Sequence, residues 1–167
     1  VEGATHIHFD AERLCSAPVL ANLVNLLWEH RDALQELVGT NPGCTRLGKW
    51  PEDFVELVRS PEFVHLAWDE VVACLQEFKL TKYCDFNLVN MLRGDAEKHT
   101  FEARIFPVSL DTGTILQAAG LFEAILYWAV DSNAEQGIKP VPADLPDLLQ
   151  VLPMSQALRE HWLYSLS

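Results

Sequence analysis

The sequence predicts an α+β fold, an antiparallel β-sheet with helices packed on one face. Two segments carry the sheet: THIHFD at Thr5 to Asp10, and THFEARIF plus a proline at Thr100 to Pro107. Successive strand side chains point to opposite faces. Thr5, Ile7 and Phe9 therefore share one face and His6 and His8 the other; Phe101, Ala103 and Ile105 likewise stand opposite Glu102 and Arg104. Four longer stretches repeat apolar residues at helical spacing: Ala17 to Val38, Pro61 to Phe78, Thr112 to Val130 and Ser155 to Leu166. Antiparallel sheets commonly leave one face uncovered, and here that face would carry the polar set.

The elements follow in order. After the first strand, Ser16 stands where an N-cap belongs, Pro18 falls in the first turn and Gly39 can end the helix. Leu20, Leu23, Val24, Leu27, Leu34 and Val38 form its apolar stripe. Thr40 to Pro51 is a turn-rich loop carrying Arg46, Lys49 and Trp50. Pro51 to Arg59 reads as a short helix, and a second starts at Ser60-Pro61-Glu62 and runs to about Phe78. Tyr83 to Leu92 reads as a strand, with Asp85 and Asn87 on one face, and Arg93-Gly94-Asp95 as a turn. Asp111 caps the helix from Thr112 to Val130. Asn133 to Pro153, rich in proline and polar residues, reads as a surface excursion before the last amphipathic helix. Residues 1–167 are expected to form a single domain.

Composition narrows the function. The chain has 12 basic and 24 acidic residues, a net charge of −12. That balance argues against nucleic acid and anionic membrane as partners. No apolar run is expected to reach the roughly 20 residues of a membrane span. Cys15, Cys44, Cys74 and Cys84 are scattered without a Cys-x-x-Cys pair and read as free thiols of a reducing, cytoplasmic compartment. Two strands that offer His6, His8, Glu102 and Arg104 on one side can form a site for a divalent cation and an anion. The bland alternative for Glu102 and Arg104 is a charge pattern on a solvated face. A fifth polar residue, Asn87, either points into the same cleft or is a hydrogen-bonded edge residue.

GATHIHFD, a long Leu-rich helix, YCDFNL at Tyr83 to Leu88 and HTFEARIFPVSLD at His99 to Asp111 together resemble the amidoligases, ATP-dependent carboxylate–amine ligases related to glutamine synthetase. The resemblance runs from the first residues to about Ser132. It implies a glutamine-synthetase-like catalytic half that forms an amide or isopeptide bond through an acyl phosphate. It also implies ATP as co-substrate, Mg²⁺ or Mn²⁺, and small-molecule or peptide carboxylates and amines as substrates. By the same resemblance His6 and Glu102 are metal ligands, and His8 lies near nucleotide or substrate. Arg104 meets the transferred phosphate or the substrate carboxylate, and Asn87 matches a recurring asparagine. Arg46 and Lys49 either reach ATP phosphates or belong to a plain solvated loop. As a strand-face residue in a cleft, Arg104 is expected to be replaceable with folding nearly intact.

The sequence also departs from that family. Its acidic metal ligands stand in an Glu-x-Glu arrangement on strands before the His-x-His segment, whereas only Val1 to Thr5 precede His6, and Glu2 does not match by position. The chain is therefore expected to be the C-terminal part of a catalytic domain that makes little or no ADP from ATP alone. It is expected to self-associate, or to take the missing strands from an N-terminal segment or partner chain. His-x-His followed by an acidic residue is also similar to the metal-dependent amidohydrolases. Their closed (β/α)₈ barrel takes about 250 residues, and His30, His65 and His161 fall in helical segments here. A non-catalytic binding or assembly module on the ligase fold is the third reading.

Overall fold

The structure is a computed structural model that describes residues 3–93 and 97–167. Gly94 and Asp95 of the expected turn, and Glu2, lie outside the described residues. Among those described, three strands form one antiparallel sheet: β1 (Ala4–Asp10), β2 (Phe86–Asn87) and β3 (Thr100–Pro107), in the order β1-β3-β2. The α+β architecture holds. The two motif strands are direct neighbours, although most of the chain separates them.

Around the sheet lie α1 (Ala17–Val38), α2 (Glu52–Val58), α3 (Trp68–Gln76), α4 (Val89–Arg93), α5 (Thr112–Val130), α6 (Leu145–Val151) and α7 (Gln156–Ser165). The apolar stripe of α1 is fully buried at Leu20, Leu23, Val24, Leu27 and Leu34, and α1 packs against α5 and β3. On α5, Phe122 meets Phe106 of β3 edge-on at 5.1 Å and Phe86 of β2 at 5.8 Å. These rings join helix and sheet into one apolar core.

Local chemistry sets the element ends. Ser16 occupies the N-cap of α1 with extended backbone, but its side chain makes no cap bond. Pro18, in the first turn, has no N–H to offer, so the cap keeps few targets. At the other end Gly39 takes φ 74°, a left-handed conformation that glycine adopts without steric cost. Thr40 then turns back and donates its hydroxyl to the Ile105 carbonyl at 2.6 Å. Asp111 caps α5 as expected, accepting from the Thr114 N–H at 2.7 Å.

Four expectations need correction. The helix expected from Pro61 to Phe78 is two pieces, a 3-10 turn at Phe63–His65 and α3. Leu66 and Ala67 are extended between them, and Glu70 accepts from the Ala67 N–H at 2.8 Å, which starts a new helix. The strand expected over Tyr83 to Leu92 is limited to β2, because the Asn87 side chain accepts from the Val89 N–H at 2.9 Å and turns the chain into α4. The excursion from Asn133 to Pro153 contains α6, capped by Asp144 and burying Leu145, Leu148 and Leu149. Finally, α5 is long and apolar enough in composition to cross a membrane. In this fold it is a core helix, with Leu121, Phe122, Ile125 and Ala129 buried.

Candidate functional site

The antiparallel register sets the site. His8 of β1 pairs with Glu102 of β3, and on the other side Asn87 of β2 pairs with the same residue. Between Thr5 and Ile7 the ladder slips: Thr5 faces Phe106, whereas Ile7 faces Ala103. This bulge places both Arg104 and Ile105 across from His6. An extra residue in one strand re-aims side chains locally, and here Ile105 stays in the core while Arg104 joins the polar face.

Four side chains converge on Glu102. Its Oε1 lies 3.0 Å from Arg104 Nη1, 3.0 Å from His6 Nδ1 and 3.6 Å from His8 Nε2. Its Oε2 accepts from Asn87 Nδ2 at 2.7 Å. His8 is held from its other nitrogen, with Nδ1 3.0 Å from the Thr100 hydroxyl. Asn87 is fully engaged, because its carbonyl oxygen is the acceptor that starts α4. Glu102 and Arg104 expose 5% and 6% of their surface, whereas the His6 and His8 side chains expose 36% and 49%. The cluster is thus a buried ion pair roofed by two half-open imidazoles. The open charged face expected from the sequence is closed at Glu102 and Arg104, which removes the basis for expecting an Arg104 replacement to leave folding intact.

The electrostatics bear on the charge of His6. Burial pushes the His6 pKa below its ordinary 6.5, and Arg104 and then His8 push the same way against the pull of Glu102. His6 is therefore neutral at pH 7. His6 Nδ1 stands between Glu102 Oε1 at 3.0 Å, which only accepts, and Arg104 Nη1 at 3.5 Å, which only donates, so its role follows the ring's tautomer.

A second buried charge pair lies on the neighbouring segment. Asp85 is 2% exposed and accepts at Oδ2 from Arg31 Nε of α1, while its Oδ1 has no partner among the described residues. Burial raises the Asp85 pKa, and the Arg31 hydrogen bond and charge oppose that rise. Asp85 also meets the site through its backbone, since its carbonyl accepts from the Arg104 N–H at 2.9 Å. Arg31 escaped the sequence reading, yet a signal was present. It stands four residues after Leu27 and three before Leu34, a charge inside the apolar stripe of α1. Thr100 and Trp50 were also missed; the Trp50 indole donates to the Phe86 carbonyl at 3.0 Å beneath β2.

The structure thus brings together His6, His8, Asn87, Glu102 and Arg104. It leaves Arg46 and Lys49 outside that network: Arg46 is exposed on its loop, and Lys49 Nζ stands 5.9 Å over the Trp28 ring, beside Arg31 and Asp85. Among the described residues no group of three or more His, Cys, Asp or Glu side chains is arranged to hold a metal ion. His6 and Glu102 fit a divalent cation only as an open site, one imidazole beside one carboxylate. Such sites complete their shell with water and phosphate oxygens. Of the other four histidines, His30 meets the Pro142 carbonyl at 2.8 Å, His99 meets Cys15 at 3.4 Å, His161 stands edge-on to Trp162, and His65 is exposed in the 3-10 turn. Cys15, Cys44, Cys74 and Cys84 are free thiols.

Residues 2–134 match the family model described as "Putative amidoligase enzyme", a span that covers the whole sheet and α1 to α5 and omits α6 and α7. No curated protein and no solved structure matches the chain. With that match spanning most of the chain, and with its His-x-His and Glu-x-Arg pairs meeting at one carboxylate oxygen, the chain belongs to the amidoligase family, whose function is of the ligase type.

Proposed function

We propose that the site serves an ATP-dependent carboxylate–amine ligation, with Mg²⁺ or Mn²⁺ held at His6 and Glu102. The observation that carries this reading is the convergence of His6, His8 and Arg104 on Oε1 of Glu102 within 3.6 Å. In such a reaction a substrate carboxylate oxygen attacks the γ-phosphorus of ATP and ADP leaves. An amine then attacks the acyl carbon and phosphate departs with the former carboxylate oxygen. Little covalent chemistry falls to the protein, which positions the groups and stabilises charge on phosphate oxygens. Arg104 offers a planar donor fork for the phosphoryl group or the substrate carboxylate. His8, half exposed and anchored through Thr100, is placed to take or give a proton at Nε2. A bound divalent ion would supply charge neutralisation at the phosphates.

Further acidic ligands are needed to complete the cation's shell in this reading, and the outer edge of β1 offers a partner chain the place to add a strand. A homo-oligomer would cover the same edge. The loop that carries Arg46 and Lys49 meets the Asp85 segment in the fold, where the Asp85 N–H donates to the Gly48 carbonyl at 3.0 Å, and in this reading the two cations serve an ATP tail; a reducing, cytoplasmic setting suits the free thiols. The amidohydrolase reading is not favoured, because a three-stranded antiparallel sheet is no (β/α)₈ barrel. The non-catalytic reading has one observation in its favour: both oxygens of Glu102 are already satisfied.

The test is Mn²⁺ binding followed by electron paramagnetic resonance, with and without ATP, on the natural polypeptide. His6→Ala and Glu102→Gln should each weaken Mn²⁺ binding by at least about tenfold, and Arg104→Met should weaken ATP binding more than Mn²⁺ binding. Unchanged Mn²⁺ affinity in both His6→Ala and Glu102→Gln would remove the shared cation site.

A further inference from the structure

Just past the shared ladder, the turn that leaves β1 meets the residue that enters β3. The Ala11 N–H donates to the His99 carbonyl at 3.2 Å, which carries the pairing of Asp10 with Thr100 one residue further. The chain then takes a single 3-10 turn, Glu12–Leu14, and Cys15 follows it. Cys15 Sγ lies 3.4 Å from Nε2 of His99 and donates to the Ala11 carbonyl at 3.2 Å. Thr100, the next residue, takes the opposite side of the strand, where it holds His8. The thiol and this imidazole therefore stand apart from Glu102, and the ligase reading uses neither.

Two observations bear on what this pair can hold. The first is geometric. Zn²⁺ binds thiolate sulfur at about 2.3 Å and imidazole nitrogen at about 2.0–2.1 Å, and a tetrahedral angle then sets the two donor atoms about 3.5 Å apart. Cys15 Sγ and His99 Nε2 already stand at 3.4 Å, on segments fixed to each other by a backbone hydrogen bond. Both residues are half-buried, so an ion can reach them and water can complete its shell. The second is electrostatic. Burial, then Asp10 and Glu12, push the Cys15 thiol up to about 11. The sulfur therefore keeps its proton in the absence of a cation, whereas the same two carboxylates favour a dication in the proton's place. A coordinating metal removes the proton of a thiol outright.

The donor set selects the ion. Thiolate and imidazole suit Zn²⁺ and chemically similar ions, whereas Mg²⁺ takes oxygen. We propose that Cys15 and His99 together bind one thiophilic divalent cation of the Zn²⁺ class, with water in the remaining positions. On binding, the Cys15 S–H bond breaks and a sulfur–metal bond forms. The proton leaves to solvent, and neutral His99 gives the lone pair of Nε2. Structural zinc sites use four protein ligands; with two, this site takes up and releases its ion without the fold depending on it.

Co²⁺ is the probe, because a thiolate bound to it gives a charge-transfer absorption in the near ultraviolet that oxygen and nitrogen ligands do not give. Titration of the unmodified protein should raise that band to saturation at one ion per chain. Zn²⁺ should abolish it, and excess Mg²⁺ should leave it unchanged. Cys15→Ser should lose the band while keeping its circular dichroism. Losing even a partner of a metal ligand costs about 10–100-fold in affinity, so His99→Gln should weaken Co²⁺ binding by at least about tenfold. The other half-buried thiols are Cys44 and Cys74, and their double serine variant should keep the band, which places it even if Cys15→Ser fails to fold. No band at any Co²⁺ concentration that leaves the protein in solution would overturn the proposal. So would a band that survives in Cys15→Ser, is lost in the double serine variant or is indifferent to His99→Gln. A thiolate band cannot arise at His6 and Glu102, so failure here leaves the ligase reading where it stands.

Discussion

Replacing Arg104 by methionine removes a charge from the centre of the site and keeps much of the side chain's bulk. In the native protein the Arg104 side chain is 7% exposed and its guanidinium is bonded to Glu102, whose side chain is 6% exposed. Removing one partner of a buried pair leaves the other charge uncompensated, at a cost of about 3–5 kcal/mol. Glu102 keeps the Asn87 hydrogen bond and the 3.0 Å contact with His6, so the lower end of that range, about 3 kcal/mol, is expected at pH 8. For a chain of this length that corresponds to a fall in Tm of about 6–12 °C.

The pH dependence makes the expectation specific. In the native protein the folded-state pKa of His6 is depressed, first by burial and then by Arg104. Its contribution to stability is therefore present above pH 6.5 and is lost as pH falls through the folded value. Without Arg104 the pull of Glu102 meets less opposition. If it then outweighs burial, the folded pKa rises above 6.5, and the imidazolium's contribution is present below 6.5 and lost as pH rises. The two trends run in opposite directions, so the Tm gap between Arg104→Met and the native chain should narrow from pH 8 to pH 5.5. Calorimetry at both pH values checks this, together with Glu102→Gln and the double variant, whose losses should be smaller than additive by about 1–3 kcal/mol. A gap that is constant with pH, or a Tm within error of native, would refute the buried-pair account.

The remaining predictions concern the flank of the site. Arg31→Met should lower stability by about 3 kcal/mol at pH 7 by stranding the Asp85 carboxylate. Because burial already raises the Asp85 pKa, the folded state takes up its proton first as pH falls, and the deficit should shrink toward pH 5; a deficit that grows on acidification counts against the pair. Cys84, whose thiol burial pushes up to about 12, donates to the Phe86 carbonyl at 3.1 Å. At pH 8 about 10⁻⁴ of it is thiolate, so iodoacetamide should leave it unmodified in the native protein and label it after unfolding, as mass spectrometry of the digested chain would show.

Those residues also mark how far the sequence is readable. Strand alternation needs only neighbours, so both motif strands and their shared face were legible before any coordinates. The α5 helix was legible for the same reason, since Asp111 and the apolar run behind it are contiguous. What failed depended on distant or competing partners. Asn87 gives its side chain to Val89 and ends a strand that propensity alone would continue. Asp144 and Pro146 fall within the stretch that reads as a surface excursion, yet they begin a helix whose leucines find their purpose only against α1. The bulge opposite His6 leaves no trace in either strand taken singly. Above all, alternation assigns Glu102 and Arg104 to a face but says nothing of their depth, which is set by His6, His8 and Asn87 closing over them.

That depth bears on how the site would work in the proposed reaction. Oε1 of Glu102 is shared by Arg104 and His6, and Oε2 is taken by Asn87. The polar set is close to electrically neutral as it stands, which is why it can be buried at all. Drawing Arg104 toward an anionic phosphate would relieve Oε1 of its strongest donor and leave Glu102 under-compensated. A carboxylate in that state attracts a cation more strongly than the paired one does. Conversely, engaging Glu102 with a cation releases the guanidinium for an anion. Each event exposes the charge that the other needs, so divalent cation and ATP should each raise the site's affinity for the other by the same factor. In the Mn²⁺ titrations this means tighter binding with ATP present in the native protein, beyond what the Mn²⁺–ATP complex forms in solution. Arg104→Met should lose that gain while retaining cation binding, because its carboxylate is relieved of Arg104 from the start.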